Sequence, residues 1–413
     1  MILNKYQCGL DFGTSNTAIA ITDIHTRKSI FIENDSSVLH FKNTNDYVYS
    51  VGKAAINEYV SSDMSGRLLK SIKTLLKQKN FIHTFIFGKR FTPDELAALI
   101  IKHFKQQAEK AIGHEIEQVV LGRPVVFSED PEKEEIAVKR LLKAASNAGF
   151  KDVKLLYEPI AAAFSYESSL TQHERVLVAD FGGGTSDFTI MELGPDRINA
   201  EDRKGDIIAN GGLYIGGDMF DSQTMWHKLT PLLGRGVKYA SYNKELDVPT
   251  TIHHELKKWE RSFLLKETKL RRDLNNYYIF SGRDKRLEDL MALIDNNLVY
   301  ALFQQIEKAK IELSSKTETM VEFARNIINI RELMTLEEFR NFINNETNKI
   351  EHCVLSLMEN ANVKAADIDT VFLTGGSASV VPIRDIFEKL FGPHKIRMGD
   401  NFNSIAYGLS LSK

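Results

Sequence analysis

Two stretches of the chain carry the same alternation of apolar and polar positions. Gly9-Leu10 leads into Asp11-Phe12-Gly13-Thr14-Ser15-Asn16, and the run Ala18–Ile21 follows. Val178-Ala179 leads into Asp180-Phe181-Gly182-Gly183-Gly184-Thr185-Ser186-Asp187, with Phe188–Met191 behind it. Each reads as a strand, a glycine turn and a second strand. A second pair joins a helix to a strand. Thr92-Pro93-Asp94-Glu95 is a capping box with proline at the first helical position, and Leu96, Leu99, Ile100, His103 and Phe104 then share one helical face. The strand Val119-Val120-Leu121 follows and ends in Gly122-Arg123-Pro124. Later, the capping box Thr335-Leu336-Glu337-Glu338 opens a helix carrying Phe339, Phe342, Ile343 and Ile350, and Val371-Phe372-Leu373 runs into Gly375-Gly376-Ser377. A third pair consists of two small-residue helices, Ile160-Ala161-Ala162-Ala163 and Ile405-Ala406-Tyr407-Gly408, which suit close approach to a neighbouring backbone. Three features recurring in one order mark an internal duplication. The second half is longer, and an insert of mainly helical character around 219–328 accounts for the excess.

A glycine turn between strands exposes consecutive backbone N–H groups, which form an anion site that a phosphate can approach closely. Thr14, Ser15, Thr185 and Ser186 add hydroxyl donors. A nucleoside triphosphate also needs a hard cation, and Mg²⁺ keeps several waters, so one or two carboxylates suffice. Asp11 and Asp180, at the mouths of the two turns, are placed to hold those waters from opposite sides. Ordinary tight hairpins also favour Gly and Asp; two copies at matched positions weigh against that reading. A third candidate is Glu307, Lys310 and Ser314, spaced i, i+3, i+7 on one helix face. A carboxylate, an amine and a hydroxyl there suit ribose and adenine edges, although a charged helix face is more often simply solvated.

Composition changes this picture little. The chain has 413 residues, a length suited to two or three domains. A net charge of −2 forces neither a nucleic-acid nor an acidic-membrane partner. Cys8 and Cys353 fit no metal spacing and read as two buried thiols in a reducing compartment. Asp11 and Asn16 interrupt the early apolar stretch, so no secretory signal is expected, and no apolar run is long enough to span a membrane. A soluble, cytoplasmic protein is the expectation. His253-His254 reads as a helix-surface feature, and Trp226, Trp259, Tyr277 and Tyr278 read mostly as core.

The motifs together resemble the actin-like ATPases and, within them, the DnaK-type seventy-kilodalton heat-shock chaperones. The resemblance rests on Gly9–Asn16, Tyr157-Glu158-Pro159 with Ile160–Ala163, Val178–Asp187, Ile215-Gly216-Gly217-Asp218-Met219-Phe220-Asp221, Glu307–Ser314 and Thr374-Gly375-Gly376-Ser377. It implies an α/β, actin-like ATPase fold: two duplicated lobes with mixed sheets around a nucleotide cleft, each lobe with an inserted subdomain. Lobe I would take 1–175, with an insert at about 37–117 and the C-terminal helix of 400–413 returning to it. Lobe II would take 176–399, with a helical insert at about 218–328. The match ends just after Tyr407-Gly408, which resembles the truncated, YegD-type branch, so a peptide-binding domain is not expected.

The resemblance also implies roles. Asp11 and Asp180 would position Mg²⁺ through water. Gly13, Thr14, Ser15, Asn16, Gly182, Gly183, Gly184 and Thr185 would grip the phosphates of ATP or ADP. Lys73, in Ser71-Ile72-Lys73-Thr74-Leu75-Leu76, would orient the attacking water, and Glu158, Asp187 and Thr185 would complete the catalytic network. Gly216 and Gly217 would approach the nucleotide from the second half. Glu307, Lys310 and Ser314 would hold the adenosine, with Gly375, Gly376 and Ser377 packed beneath it. The chain departs from the family at several places: Ile311 and Ser379 stand where the family has arginines over the adenine, Phe402 replaces an aspartate, the segment after Pro124 is longer, and no arginine clearly occupies the position that relays nucleotide state. Loss of two cation–π partners weakens stacking by roughly 0.5–2 kcal/mol each. The expected function is a slow Mg-dependent ATPase that switches conformation and engages a protein client or co-chaperone. The alternatives are a small-molecule kinase on the same fold, with Asp187 as base, and a non-catalytic nucleotide sensor or filament subunit.

Overall fold

The computed structural model describes residues 5–412, apart from 45, 63, 199, 201–202, 258–264, 266–267 and 401. The chain forms two compact units. One comprises Met1–Gly217, Asn348–Ser379 and Ile383–Lys413; the other comprises Asp218–Thr347 and Val380–Pro382.

Two five-stranded sheets organise the first unit, and their strand orders correspond. In one, Asp152–Tyr157, Gln118–Arg123, Tyr6–Phe12, Asn16–Asp23 and Ser29–Ser36 lie side by side. In the other, Ile396–Met398, Thr370–Thr374, Glu174–Phe181, Ser186–Leu193 and Ile207–Leu213 take the equivalent places. Each sheet is an antiparallel meander of three strands extended by two parallel ones. The duplication read from the sequence is therefore a duplication of topology. Val176 to Ala179 are fully buried, as expected of a central strand covered on both faces and built from a continuous apolar run.

The two small-residue helices, Glu158–Glu167 and Ser404–Leu411, pack against one another. A Cβ at Gly408 would lie 1.7 Å from the Ala161 carbonyl oxygen, and Ala161, Ala162 and Ala163 are fully buried. Both capping boxes form. Thr92 and Glu95 cap the helix Pro93–Ile112, and Thr335 and Glu338 cap a helix that stops at Phe342. The single helix expected through Ile350 is two, Leu336–Phe342 and Asn344–Asn360, because Ile343 leaves helical geometry at φ −105°, ψ 9°.

The second unit carries Thr268–Phe280, Lys285–Asp295 and Val299–Glu312 as its longer helices. It also contains two hairpins that the helical reading did not name, Lys238–Ser241 with Lys244–Asp247 and Glu318–Arg325 with Ile328–Thr335. His253 corrects another expectation. It faces inward beside Ile252 and Leu256, is fully buried, and its Nε2 lies 3.0 Å from the Leu233 carbonyl oxygen. Only His254 is at the surface, stacked on Trp226 at 4.3 Å between ring centroids. Trp226, Tyr277 and Tyr278 are half-buried rather than core, and Trp259 lies outside the described residues. Cys8 is buried, whereas Cys353 is only partly so. Among the described residues, no helix is long and apolar enough to cross a membrane.

Candidate functional site

The two glycine hairpins meet inside the first unit. A Cβ at Gly184 would lie 2.9 Å from the Thr14 hydroxyl oxygen, so the two turns are in close contact there. The first turn is pinned from behind: the Ser37 amide donates to the Ser15 carbonyl at 2.8 Å, and the Ser37 hydroxyl donates to the Gly13 carbonyl at 2.8 Å. A Cβ at Gly13 would lie 2.1 Å from the Asn16 carbonyl oxygen. The second turn closes when the Gly182 amide donates to the Thr185 carbonyl at 3.0 Å. Gly216 packs on it, since a Cβ there would lie 2.5 Å from the Gly183 carbonyl oxygen, and the Gly217 amide donates to the Gly182 carbonyl at 3.1 Å.

Four carboxylates and one amine gather beside these turns. Asp11 and Asp180 stand near the ends of the two central strands. Lys73 comes from the short 3₁₀ turn Ile72–Leu75, entered through Ser71 at φ +57°. It is only 7% exposed, and its Nζ donates to Oε1 of the buried Glu158 at 2.7 Å. Glu158 itself begins the small-residue helix. Asp187 sits directly across the hairpin from Asp180. Its Oδ1 accepts from the Val125 amide at 2.7 Å, and the nearby Thr185 side chain favours its charged form.

Three buried oxygens of this group have no hydrogen-bond partner among the described residues: Asp11 Oδ1, Asp180 Oδ1 and Asp187 Oδ2. Buried polar atoms are normally paired. Their titration reflects the same deficit of positive charge. Burial, then Glu158, pushes Asp11 up to about 7 against the pull of Lys73. Burial, then Glu158, pushes Asp187 up to about 7 despite its hydrogen bonds. Asp180 stands well above the usual carboxylate range, through burial and then Glu158, Asp11 and Asp187. Burial would lower the Lys73 amine, but Glu158, Asp11 and Asp187 together raise it. One lysine does not balance this cluster, so the donor set fits an added cation. Among the described residues no three acidic, histidine or cysteine side chains are placed to hold a metal directly. A cation that retains its waters, as Mg²⁺ does, needs only one or two carboxylates such as those of Asp11 and Asp180.

The third glycine segment borders the same group. Gly375, at φ +85°, lies so close that a Cβ would meet Asp180 Oδ1 at 2.6 Å and the Phe181 carbonyl oxygen at 2.4 Å. The Ser377 amide donates to the Phe181 carbonyl at 3.0 Å, and its hydroxyl donates to the Gly182 carbonyl at 3.2 Å. Gly376 is exposed, and Ser379 turns its hydroxyl back to the Gly376 carbonyl at 3.5 Å.

The remaining candidates lie in the second unit. Glu307, Lys310 and Ile311 are on the helix Val299–Glu312; Ser314 follows its end rather than continuing the helical face. Lys310 is buried, and its Nζ donates to Asp221 Oδ2 at 2.8 Å, a pairing the helix spacing could not reveal. Burial raises Asp221 to about 6; Lys310 opposes that rise and Glu307 adds to it. Ile311 is 63% exposed. Sequence reasoning missed the Val125 amide, which gave no signal, and left Asp221 without a role although it closes the Gly216–Asp221 motif.

A sequence model of the Hsp70 protein family matches residues 7–232 and 277–412. The chaperone protein DnaK of Thermosipho africanus is 26% identical over 98% of the chain, those of Mycoplasmopsis pulmonis and Thermus thermophilus 24% identical over the same share. The chain spans 58%, 57% and 60% of the length of these three relatives, respectively. With the repeated sheet, the paired phosphate-type turns and a family match over most of its length, this chain belongs to the Hsp70 family.

Proposed function

We propose that the chain binds Mg-ATP at the paired hairpins and hydrolyses it slowly. The observation that carries the reading is the set of unpartnered buried oxygens on Asp11, Asp180 and Asp187 around the Lys73–Glu158 pair. Asp11 and Asp180 would hold Mg²⁺ through its waters, and when bound the ion would neutralise charge on the transferring phosphoryl group. The backbone amides and hydroxyls of Gly13–Asn16 and Gly182–Thr185 bind the phosphates. Lys73, fixed by Glu158, orients the attacking water. Asp187, raised to about 7, accepts that water's proton near neutral pH, which is where a general base is most effective.

The parts of this reading that concern whole-protein behaviour follow from family membership and from the relatives, which are chaperone proteins. In the proposed division, 1–175 and 176–399 act as lobes with inserts at about 37–117 and 218–328, whose closure follows nucleotide state. A protein client or co-chaperone in the cytoplasm would read that closure. The test is phosphate release from Mg-ATP by purified protein, with Asp180→Asn and Lys73→Ala as controls. Release no faster than that of a protein carrying both substitutions would remove hydrolysis from the reading, while calorimetric binding of Mg-ATP would still support the nucleotide site.

A further inference from the structure

We propose that Phe402 is the stacking platform for the base of the bound nucleotide, an inference that rests on the nucleotide reading above. Asp180 Oδ1 is one of the unpartnered buried oxygens. Gly375 covers it, with the position of a would-be Cβ only 2.6 Å away. The next residue, Gly376, is exposed, and a Cβ there would lie 3.4 and 3.8 Å from Cε1 and Cζ of Phe402. The aromatic ring thus begins one residue beyond the carboxylate that serves cation and phosphates, and two glycines without side chains form the floor between them.

A singly exposed phenylalanine is ordinary. This one, 44% exposed, stands on a held backbone. Its amide donates to Asp400 Oδ1 at 3.2 Å, and the neighbouring Asn403 side chain donates to Asp400 Oδ2 at 2.9 Å while accepting from Asn34 Nδ2 at 2.8 Å. A ring on a backbone held in this way, at the edge of the proposed phosphate site and reached over bare backbone, suits a flat unsaturated group joined to the phosphates. In a nucleotide that group is the base. Phenylalanine offers no hydrogen-bond donor or acceptor, so it holds a base by its face alone. Purines, with the larger face, bind better than pyrimidines, and the ring itself discriminates little between adenine and guanine.

The test is calorimetric titration of the full chain with Mg-ATP, Mg-GTP, Mg-CTP and Mg-tripolyphosphate, which has phosphates but no base. Phe402→Ala weakens Mg-ATP binding roughly 5- to 100-fold, the range for losing one base–aromatic stack. It leaves Mg-tripolyphosphate binding within about twofold of the unsubstituted chain, well below one stack's worth. Phe402→Trp retains Mg-ATP binding, and its added fluorescence is quenched by ATP and not by tripolyphosphate. A Phe402→Ala protein that binds Mg-ATP as the parent does overturns the inference, and so does one that loses tripolyphosphate equally. A parent protein that binds neither ligand overturns the nucleotide reading itself.

Discussion

Lys73→Ala removes the one amine in a cluster of four buried or partly buried carboxylates. Its Nζ lies 2.7 Å from Glu158 Oε1, and both side chains are under 10% exposed. Replacing such a pair with apolar groups can be neutral, but removing one partner leaves an uncompensated buried charge and costs about 3–5 kcal/mol. Proton uptake limits that cost here. Asp11 and Asp187 stand at about 7 with the lysine present, so without it they rise further and the cluster carries fewer charges at neutral pH. A loss of about 3 kcal/mol in the nucleotide-free protein follows, which in a chain of 413 residues corresponds to a melting temperature lower by roughly 3–5 °C. Urea unfolding at pH 7.5 without nucleotide measures it, and the double variant Lys73→Ala, Glu158→Gln recovers part of the loss, because the stranded carboxylate is gone. If Lys73→Ala is as stable as the parent, or if the two substitutions simply add, the pair is solvated and the charge-deficit argument fails.

Three further outcomes follow from the same geometry. Asp11 and Asp187 have folded-state values near 7, above the value of 3.8 for an unburied aspartate, so their protonation favours the folded form. The nucleotide-free protein therefore loses stability as pH rises from about 4 through 7, and thermal melts at pH 5 and pH 8 read this directly; equal melting at both would refute it. Asp187→Asn keeps an oxygen for the Val125 amide but removes the proposed base, so single-turnover phosphate release is expected to fall about 10²–10⁴-fold while calorimetry shows Mg-ATP binding within a few-fold of the parent. Gly408→Ala drives a methyl group to within 1.7 Å of the Ala161 carbonyl oxygen, and urea unfolding shows a loss of about 1–3 kcal/mol or more as the two helices separate.

The hairpins and the duplicated sheet were legible because glycine turns and alternating strands are local patterns, and the three repeated features appear as paired elements in space. The hairpins at Lys238–Asp247 and Glu318–Thr335 were equally local, and the second shows period-two burial at Val321, Phe323, Ile328 and Ile330. They went unread because the surrounding insert was taken as helical. The chemistry was less legible. Lys70, Lys73, Lys77 and Lys79 form one basic stretch, yet among these Lys73 alone is buried, and its partner Glu158 lies 85 residues away. Lys310 likewise meets Asp221 across 89 residues, a contact that helix spacing cannot encode.

The duplication also conceals a difference that matters to mechanism. In the first hairpin Asp11 is paired across the ladder with Ala18, whereas in the second Asp180 is paired with Asp187. Matching topology thus places a methyl group on one side and a second carboxylate on the other. In the proposed mechanism only the second hairpin carries both an acidic residue for the hydrated cation and, seven residues on, a group raised to about 7 that would receive a proton. Beside the first hairpin the compensating Lys73–Glu158 pair stands instead. Equal halves could clasp a triphosphate symmetrically, but attack by water needs a base on one side only. Exchanging Ala18 for Asp would place one more carboxylate in a cluster already short of positive charge, so Ala18→Asp is expected to destabilise the nucleotide-free protein without restoring hydrolysis to an Asp187→Asn background. Recovery of phosphate release in that double variant would show that the two hairpins are interchangeable and that the asymmetry assigns no role.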